Sequence, residues 1–294
     1  MDQTVRIPGP EGPLEARLIA PPGARIIAII VPGSGPTDRD GNQPATGLAT
    51  DSYKLLAEGL AAEGIASLRI DKRGMYGSRA AIPDGNDVTI AAYADDLRGW
   101  IGLAATLAPA VWVAGHSEGG LVGLVAARDA PPALSGLILL AAPGRPPGDV
   151  LIGQLEASPA HGPIMAEVRA IVADLQAGRR RTPDAMPEGL RLLFHPVVQG
   201  FWSDLLSHDP AAIARDWSGP VLIVQGDADT QVTPEDADRL AAALPQARRI
   251  GLAGGTHMLK RADGADPAVT YTDPTLPLHP DLVPGIVAFL TSAG

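Results

Sequence analysis

The chain has 294 residues, 46% of them hydrophobic and 19% charged, a balance that excludes an unfolded chain and suits one large core carrying an insertion. A net charge of −10 without a basic stripe argues against nucleic-acid binding, and zero cysteines exclude disulfides, a thiol nucleophile and thiolate metal ligands. Apolar runs such as Ile26–Val31 are far too short to span a bilayer, so a soluble cytoplasmic protein is the default expectation.

In chain order, short runs rich in Ile, Val and Leu predict strands at 4–7, 14–20, 25–31, 65–70, 111–114, 136–141, 221–225 and 247–250. From residue 25 onward several of these runs lack polar alternation, as strands covered on both faces do. Helical patterns separate them at 52–63, 88–107, 119–129, 234–244 and 281–290, giving βαβ alternation and an α/β fold with a mostly parallel central sheet of eight strands. Thr233 before Pro234, with Glu235 and Asp236 following, combines an N-cap, a proline at the first helical position and acidic charge in the first turn.

Between residues 144 and 216 the alternation stops and prolines, glycines and weakly amphipathic stretches take over. This divides the chain into a core of residues 1–143 and 217–294 and an inserted helical cap or lid of residues 144–216. The cap contains an apolar run from Leu192 to Leu206, including Phe194, Phe201 and Trp202, which reads equally as the wall of an acyl pocket or as a helix packed on the core. Arg179 to Arg181 read as a solvated helix end.

The most informative stretch is Val111-Trp112-Val113-Ala114-Gly115-His116-Ser117-Glu118-Gly119-Gly120, a strand, a sharp turn carrying a serine, and a glycine-opened helix. A serine on such a turn needs neighbours without bulk two positions before and after it, and Gly115 and Gly119 meet that need. Ser117 is therefore the candidate nucleophile, and the following helix directs its amino terminus at developing negative charge.

An attacking hydroxyl needs a histidine to take its proton and a carboxylate to orient that histidine. Of six histidines, His257 is the best placed, in the loop Gly254-Gly255-Thr256-His257-Met258 after the last predicted strand. His116 lies inside the elbow and should point away from Ser117. His161, His195, His208 and His279 read as structural. The loop Gln225-Gly226-Asp227-Ala228-Asp229-Thr230-Gln231-Val232 supplies two carboxylates. Asp229, deeper in the loop, is favoured as the partner of His257, and Asp227 suits hydrogen bonds to nearby amides.

The oxyanion of acyl transfer needs two backbone donors, expected at the amides of Glu118 and Ser34, the latter in the turn Pro32-Gly33-Ser34-Gly35-Pro36-Thr37-Asp38-Arg39-Asp40-Gly41-Asn42. The acidic part of that turn lacks the other spaced ligands and distal glutamate of a calcium loop, so no metal is expected.

As a set these residues resemble the α/β-hydrolase superfamily, and within it the bacterial serine esterases and serine-aminopeptidase-like hydrolases with a P-G-S-G-P-x-D-R-D-G-N loop. The likeness covers most of the chain through that loop, Asp71-Lys72-Arg73-Gly74 with Gly77-Ser78, the elbow, the loop of Asp227 and Asp229, and Gly254 to His257. The order Ser117, Asp229, His257 is that of the superfamily. A His-Gly-Gly-Gly run is missing, so Ser34 is assigned by position in its turn alone. The resemblance implies the α/β-hydrolase fold and hydrolysis of small-molecule carboxylic esters of short to medium acyl chain, through an acyl-serine and without a cofactor. Thioesters, lactones and amino-terminal peptides are alternative substrates for the same triad, and a ligand-binding protein without turnover is the non-enzymatic alternative. The oligomeric state is left open.

Overall fold

The computed structural model describes residues 2–129 and 131–293. Among the described residues eight strands form one sheet: β1 (Asp2–Ile7), β2 (Leu14–Ile19), β3 (Ile26–Val31), β4 (Ala66–Ile70), β5 (Ala110–His116), β6 (Leu134–Leu140), β7 (Val221–Gly226) and β8 (Arg248–Leu252). Their spatial order is β1-β2-β4-β3-β5-β6-β7-β8. β1 and β2 pair antiparallel, β2 joins β4 antiparallel, and every pairing from β4 to β8 is parallel. The expected α/β-hydrolase architecture is observed. β5 runs two residues past its expected end because it is paired on both sides there, Gly115 with Val31 and His116 with Leu140.

Side chains alternate across the sheet with the two-residue period of a strand, and the alternation sorts them into two cores. Ile27, Ile29, Val111, Val113, Leu137 and Leu139 belong to one, which α2 (Ile90–Ala104), α3 (Glu118–Arg128) and α8 (Pro234–Ala243) cover. Ala28, Ile30, Trp112, Ala114, Ile138 and Leu140 belong to the other, under α1 (Ser52–Ala62) and α9 (Leu282–Ser292). The central strands are thus apolar on both faces, and each fully buried large aliphatic side chain contributes about 1.5–3 kcal/mol relative to exposure. Trp112 anchors the second core edge-on to Phe289, with ring centroids 5.4 Å apart.

Between β6 and β7 the chain forms α4 (Pro147–Glu156), α5 (Met165–Gln176), α6 (Gln199–Leu205) and α7 (Pro210–Ala214), interspersed with short 3₁₀ turns. Leu151, Val168, Ile171, Leu175, Phe194 and Leu206 gather here into a small apolar cluster of their own. The entry of this segment is tied to α8 by Asp236, a fully buried side chain that accepts hydrogen bonds from the amides of Gly144 (3.1 Å) and Arg145 (2.9 Å) and pairs with the Arg145 guanidinium at 2.7 Å. The same carboxylate accepts the Thr233 amide at 3.0 Å, completing the helix start legible in the sequence.

Because β3 and β5 through β8 run parallel, the turns that leave them gather at one edge of the sheet. These turns carry Ser34, Ser117, Asp229 and His257. Open α/β sheets bind ligands at this carboxyl edge.

Candidate active site

Ser117 occupies the turn between β5 and α3 with φ 53° and ψ −124°, a backbone strained for any residue with a Cβ. The turn is held by Ser117 N–H donating to the Leu140 carbonyl (2.9 Å) and by the Gly120 amide donating to the Ser117 carbonyl (2.9 Å). The flanking glycines are needed for close approach. A Cβ on Gly115 would strike the Gly119 carbonyl, and one on Gly119 would strike the carbonyls of Val31 and Pro32.

His257 and Asp229 meet as expected: Nδ1 of the ring donates to Asp229 Oδ2 at 2.8 Å, and both side chains are buried. With Nδ1 turned to the carboxylate, Nε2 is the nitrogen left to act as a general base, and among the described residues it has no protein partner. The ring and Ser117 line one cavity, although no hydrogen bond joins the Ser117 hydroxyl to the ring. Asp229 Oδ1 accepts the amides of Gln231 (2.8 Å) and Val232 (3.0 Å), and the Gln225 amide lies 3.4 Å from Oδ2. Burial raises the carboxyl pKa, but His257 and the two backbone amides outweigh it and hold Asp229 below the ordinary aspartate value. Asp227 instead stitches the two loops together, accepting the Gly254 amide at 2.6 Å, the duty its position after the turn glycine suggests.

His116 points away from the serine. Tyr53 accepts the Gly33 amide (3.1 Å) and donates its hydroxyl proton to His116 Nδ1 (2.7 Å), so Nε2–H donates to the His257 carbonyl (2.8 Å). Complete burial, aided by the nearby His257, lowers the His116 pKa to about 3, so the ring is a neutral strut at physiological pH. It supports the backbone of His257 from below.

Among the described residues neither the Ser34 nor the Glu118 amide donates to a protein acceptor, and both residues line a cavity with Ser117. The Ser34 segment is pinned on several sides. Gly33 N–H is held by Tyr53, its carbonyl accepts Lys72 Nζ at 2.6 Å, and the Ser34 carbonyl accepts Thr37 (2.8 Å) and Gln43 (3.0 Å).

Lys72 was legible only as part of the Asp71-Lys72-Arg73-Gly74 stretch that carries the family likeness, yet it joins the segments of Ser34 and Glu118. Its Nζ bonds the Gly33 carbonyl and lies 3.2 Å from Glu118 Oε1, with both side chains almost fully buried, while among the described residues Glu118 Oε2 has no partner. The ammonium also lies 5.4 Å from the centre of the Tyr93 ring, within cation–π range. The sequence signal was present, since Asp71-Lys72-Arg73 leaves the carboxyl end of a buried strand, but nothing local distinguishes such a lysine from a surface one.

The apolar run of the β6–β7 segment divides. Trp202 and Leu205 line the cavity beside Ser117, Phe194 lies in the small separate cluster, and Leu192 is 88% exposed. Among the described residues no group of three or more histidine, cysteine or carboxylate side chains could hold a metal ion, and no helix is long and apolar enough to cross a membrane.

A strand-to-helix serine, a histidine held by a carboxylate after later strands, and this sheet order define an α/β hydrolase, and the chain belongs to the alpha/beta hydrolase family, which it matches over residues 23–263. Esterase EstD of Thermotoga maritima is 26% identical over 215 residues, which cover 71% of this chain and 48% of that protein, so the chain spans about half the length of this relative. The structure of Est1E from Butyrivibrio proteoclasticus with ferulic acid bound is 18% identical and covers 98% of each chain at a TM-score of 0.64. Proline iminopeptidase from Mycobacterium smegmatis reaches the same TM-score at 17% identity, covering 99% of this chain and 98% of its own. Such different names on one fold leave function to be argued from the site.

Proposed function

We propose that the protein is a serine hydrolase of carboxylic esters with short to medium acyl chains, working through an acyl-serine intermediate. The observation that carries this reading is the His257–Asp229 hydrogen bond of 2.8 Å beside a serine held at φ 53° on the elbow. The two free amides at Ser34 and Glu118 add the donors that acyl transfer needs. The relationship to EstD supports an ester substrate.

In this mechanism Ser117 Oγ attacks the ester carbonyl as His257 Nε2 takes its proton, Asp229 stabilises the imidazolium, and the amides of Ser34 and Glu118 hold the oxyanion. The carbon–oxygen bond to the alcohol breaks and Nε2 returns the proton to the departing oxygen. Water then attacks the acyl-serine, giving a proton to Nε2, which passes it to Ser117 Oγ as the acid leaves. Ester and water become acid and alcohol. Residues 144–216 act as a cap whose side chains close one side of the pocket, with residues 1–143 and 217–294 as the catalytic core.

The test is a panel of p-nitrophenyl esters from acetate to palmitate, with Ser117→Ala in parallel. Release that depends on chain length and drops by on the order of 10⁴ or more in the variant is the expected result. Undiminished release by Ser117→Ala, or none by the wild type, would refute the reading.

A further inference from the structure

Ser117 stands between two cavities of opposite character, and Ser34 and Ser117 form part of the wall of each. The smaller, about 90 Å³, is bounded by Leu121, Pro147, Val150, Leu151, Trp202 and Leu205. The larger, about 210 Å³, is bounded by Thr37, Gln43, Thr46, Thr50, Gln231 and Tyr271, and it is the one that reaches His257.

The path of the proton decides which half of an ester each cavity takes. The imidazolium delivers its proton to the departing oxygen, so the alcohol must lie on the His257 side. The acyl chain then enters the apolar cavity, which His257 does not line. Its one charged neighbour, Glu118, is already paired with Lys72 at 3.2 Å. At about 90 Å³ it is less than half the size of the other cavity, which suits a short acyl chain.

The larger cavity has no carboxylate, lysine or arginine among its lining residues, so it offers nothing to neutralise an amine, a phosphate or an acid. It offers hydroxyls and amides, with Leu48 and Met258 as an apolar wall. Several polar groups are already committed: Thr37 and Gln43 to the Ser34 carbonyl, and Thr50 to the Gly41 carbonyl at 2.7 Å. Gln231 and Tyr271 are different. Gln231 Nε2 donates to the Tyr271 oxygen at 3.1 Å, and among the described residues the Tyr271 hydroxyl proton and Gln231 Oε1 have no partner. Burial raises the Tyr271 pKa, so the phenol remains a donor at neutral pH. One free donor beside one free acceptor fits a hydroxyl group, which is both at once. A purely hydrocarbon alcohol would leave the pair unmatched.

From this pairing of cavities we infer that the substrate joins a short apolar acyl group to a neutral alcohol bearing several hydroxyls, such as a sugar or polyol, whose hydroxyls bind Gln231 and Tyr271. The inference rests on the serine-esterase reading and adds the substrate class to it. A sugar presents C–H faces as well as hydroxyls, which suits the mixed wall.

The experiment compares kcat/KM of the purified protein on glycerol monobutyrate, glucose monobutyrate, hexyl butyrate and hexyl decanoate, with p-nitrophenyl butyrate as a check on the chemistry. The polyol butyrates are expected to exceed hexyl butyrate by about tenfold or more, the worth of one or two matched hydrogen bonds. Tyr271→Phe is expected to shrink that preference about tenfold, because it removes the donor that only the polyol uses. Leu151→Ala is expected to raise the decanoate rate relative to butyrate. Equal rates on polyol and hexyl esters, or an unaltered preference in Tyr271→Phe, overturns the alcohol half. Decanoate hydrolysed as well as butyrate by the wild type overturns the acyl half. Failure on p-nitrophenyl butyrate as well would instead refute the esterase reading itself.

Discussion

The rings of His116 and His257 lie 4.7 Å apart between centroids, and the first donates to the carbonyl of the second at 2.8 Å. A histidine this deeply buried is neutral when folded, with its pKa lowered to about 3, whereas in the unfolded chain it titrates near 6.5. Between those values the unfolded chain binds the extra proton, so His116 makes stability fall as pH falls through the window.

His116→Gln removes that titration. Stability from urea unfolding between pH 4.5 and 6.5 is expected to depend less on pH in the variant, by up to about 1.4 kcal/mol per pH unit. Identical slopes for the two proteins would show that the ring accepts a proton while folded.

Asp229 and Asp227 are two residues apart and do different work. Asp229→Asn is expected to lower kcat by on the order of 10⁴. Asp227→Asn is expected to cost about 1–2 kcal/mol of stability with a far smaller effect on kcat, since the bond lost is a loop stitch. Because Asp229 is held below its ordinary value, its ionisation stabilises the fold above the unfolded aspartate pKa, and that contribution disappears as pH falls through the folded value. The stability gap between wild type and Asp229→Asn should therefore be widest near neutrality and close in acid. Reversal of the two kinetic effects would transfer the catalytic role to Asp227.

Lys72→Met leaves Glu118 as a buried, unpaired carboxylate and is expected to cost about 3–5 kcal/mol. The double variant Lys72→Met with Glu118→Met should recover most of that loss, as a buried pair replaced by apolar groups often does. Its kcat should remain low, because the Gly33 carbonyl has lost the ammonium that fixes the Ser34 amide. Full activity in the stable double variant would reduce Lys72 to a packing role.

Two glycine substitutions should move in opposite directions. Gly119→Ala drives a Cβ into the Val31 and Pro32 carbonyls and is expected to destabilise by about 1–3 kcal/mol or more while distorting the elbow. Gly102→Ala, in α2, meets nothing within 4 Å and should stabilise by about 0.5–1 kcal/mol. Thermal denaturation of both proteins checks the pair.

The strands were legible because burial on both faces forces unbroken Ile, Val and Leu runs, and the elbow because Gly115 and Gly119 must lack side chains where backbones touch. Asp229 and His257 could be ranked from their loops because each follows a strand end. The Tyr53–His116 bond was not legible, since its partners are 63 residues apart and nothing in α1 marks Tyr53 as more than a core aromatic. The Gln231–Tyr271 pair was hidden for the same reason, spanning 40 residues. In residues 144–216 the 3₁₀ turns around Pro159, Pro183 and Pro196 have no sustained periodicity to read, so the split between Trp202 at the cavity and Phe194 in the small cluster appears only in three dimensions.

Leu151 and Trp202 border the cavity beside Ser117 and at their other surface pack with Val168, Ile171 and Phe194, away from the sheet. The serine, carboxylate and histidine are anchored at strand ends. Drift in the small cluster can therefore reshape that cavity while Ser117, Asp229 and His257 keep their positions. For a lineage carrying this fold, the shape of the cavity and the arrangement of the three side chains are separately heritable.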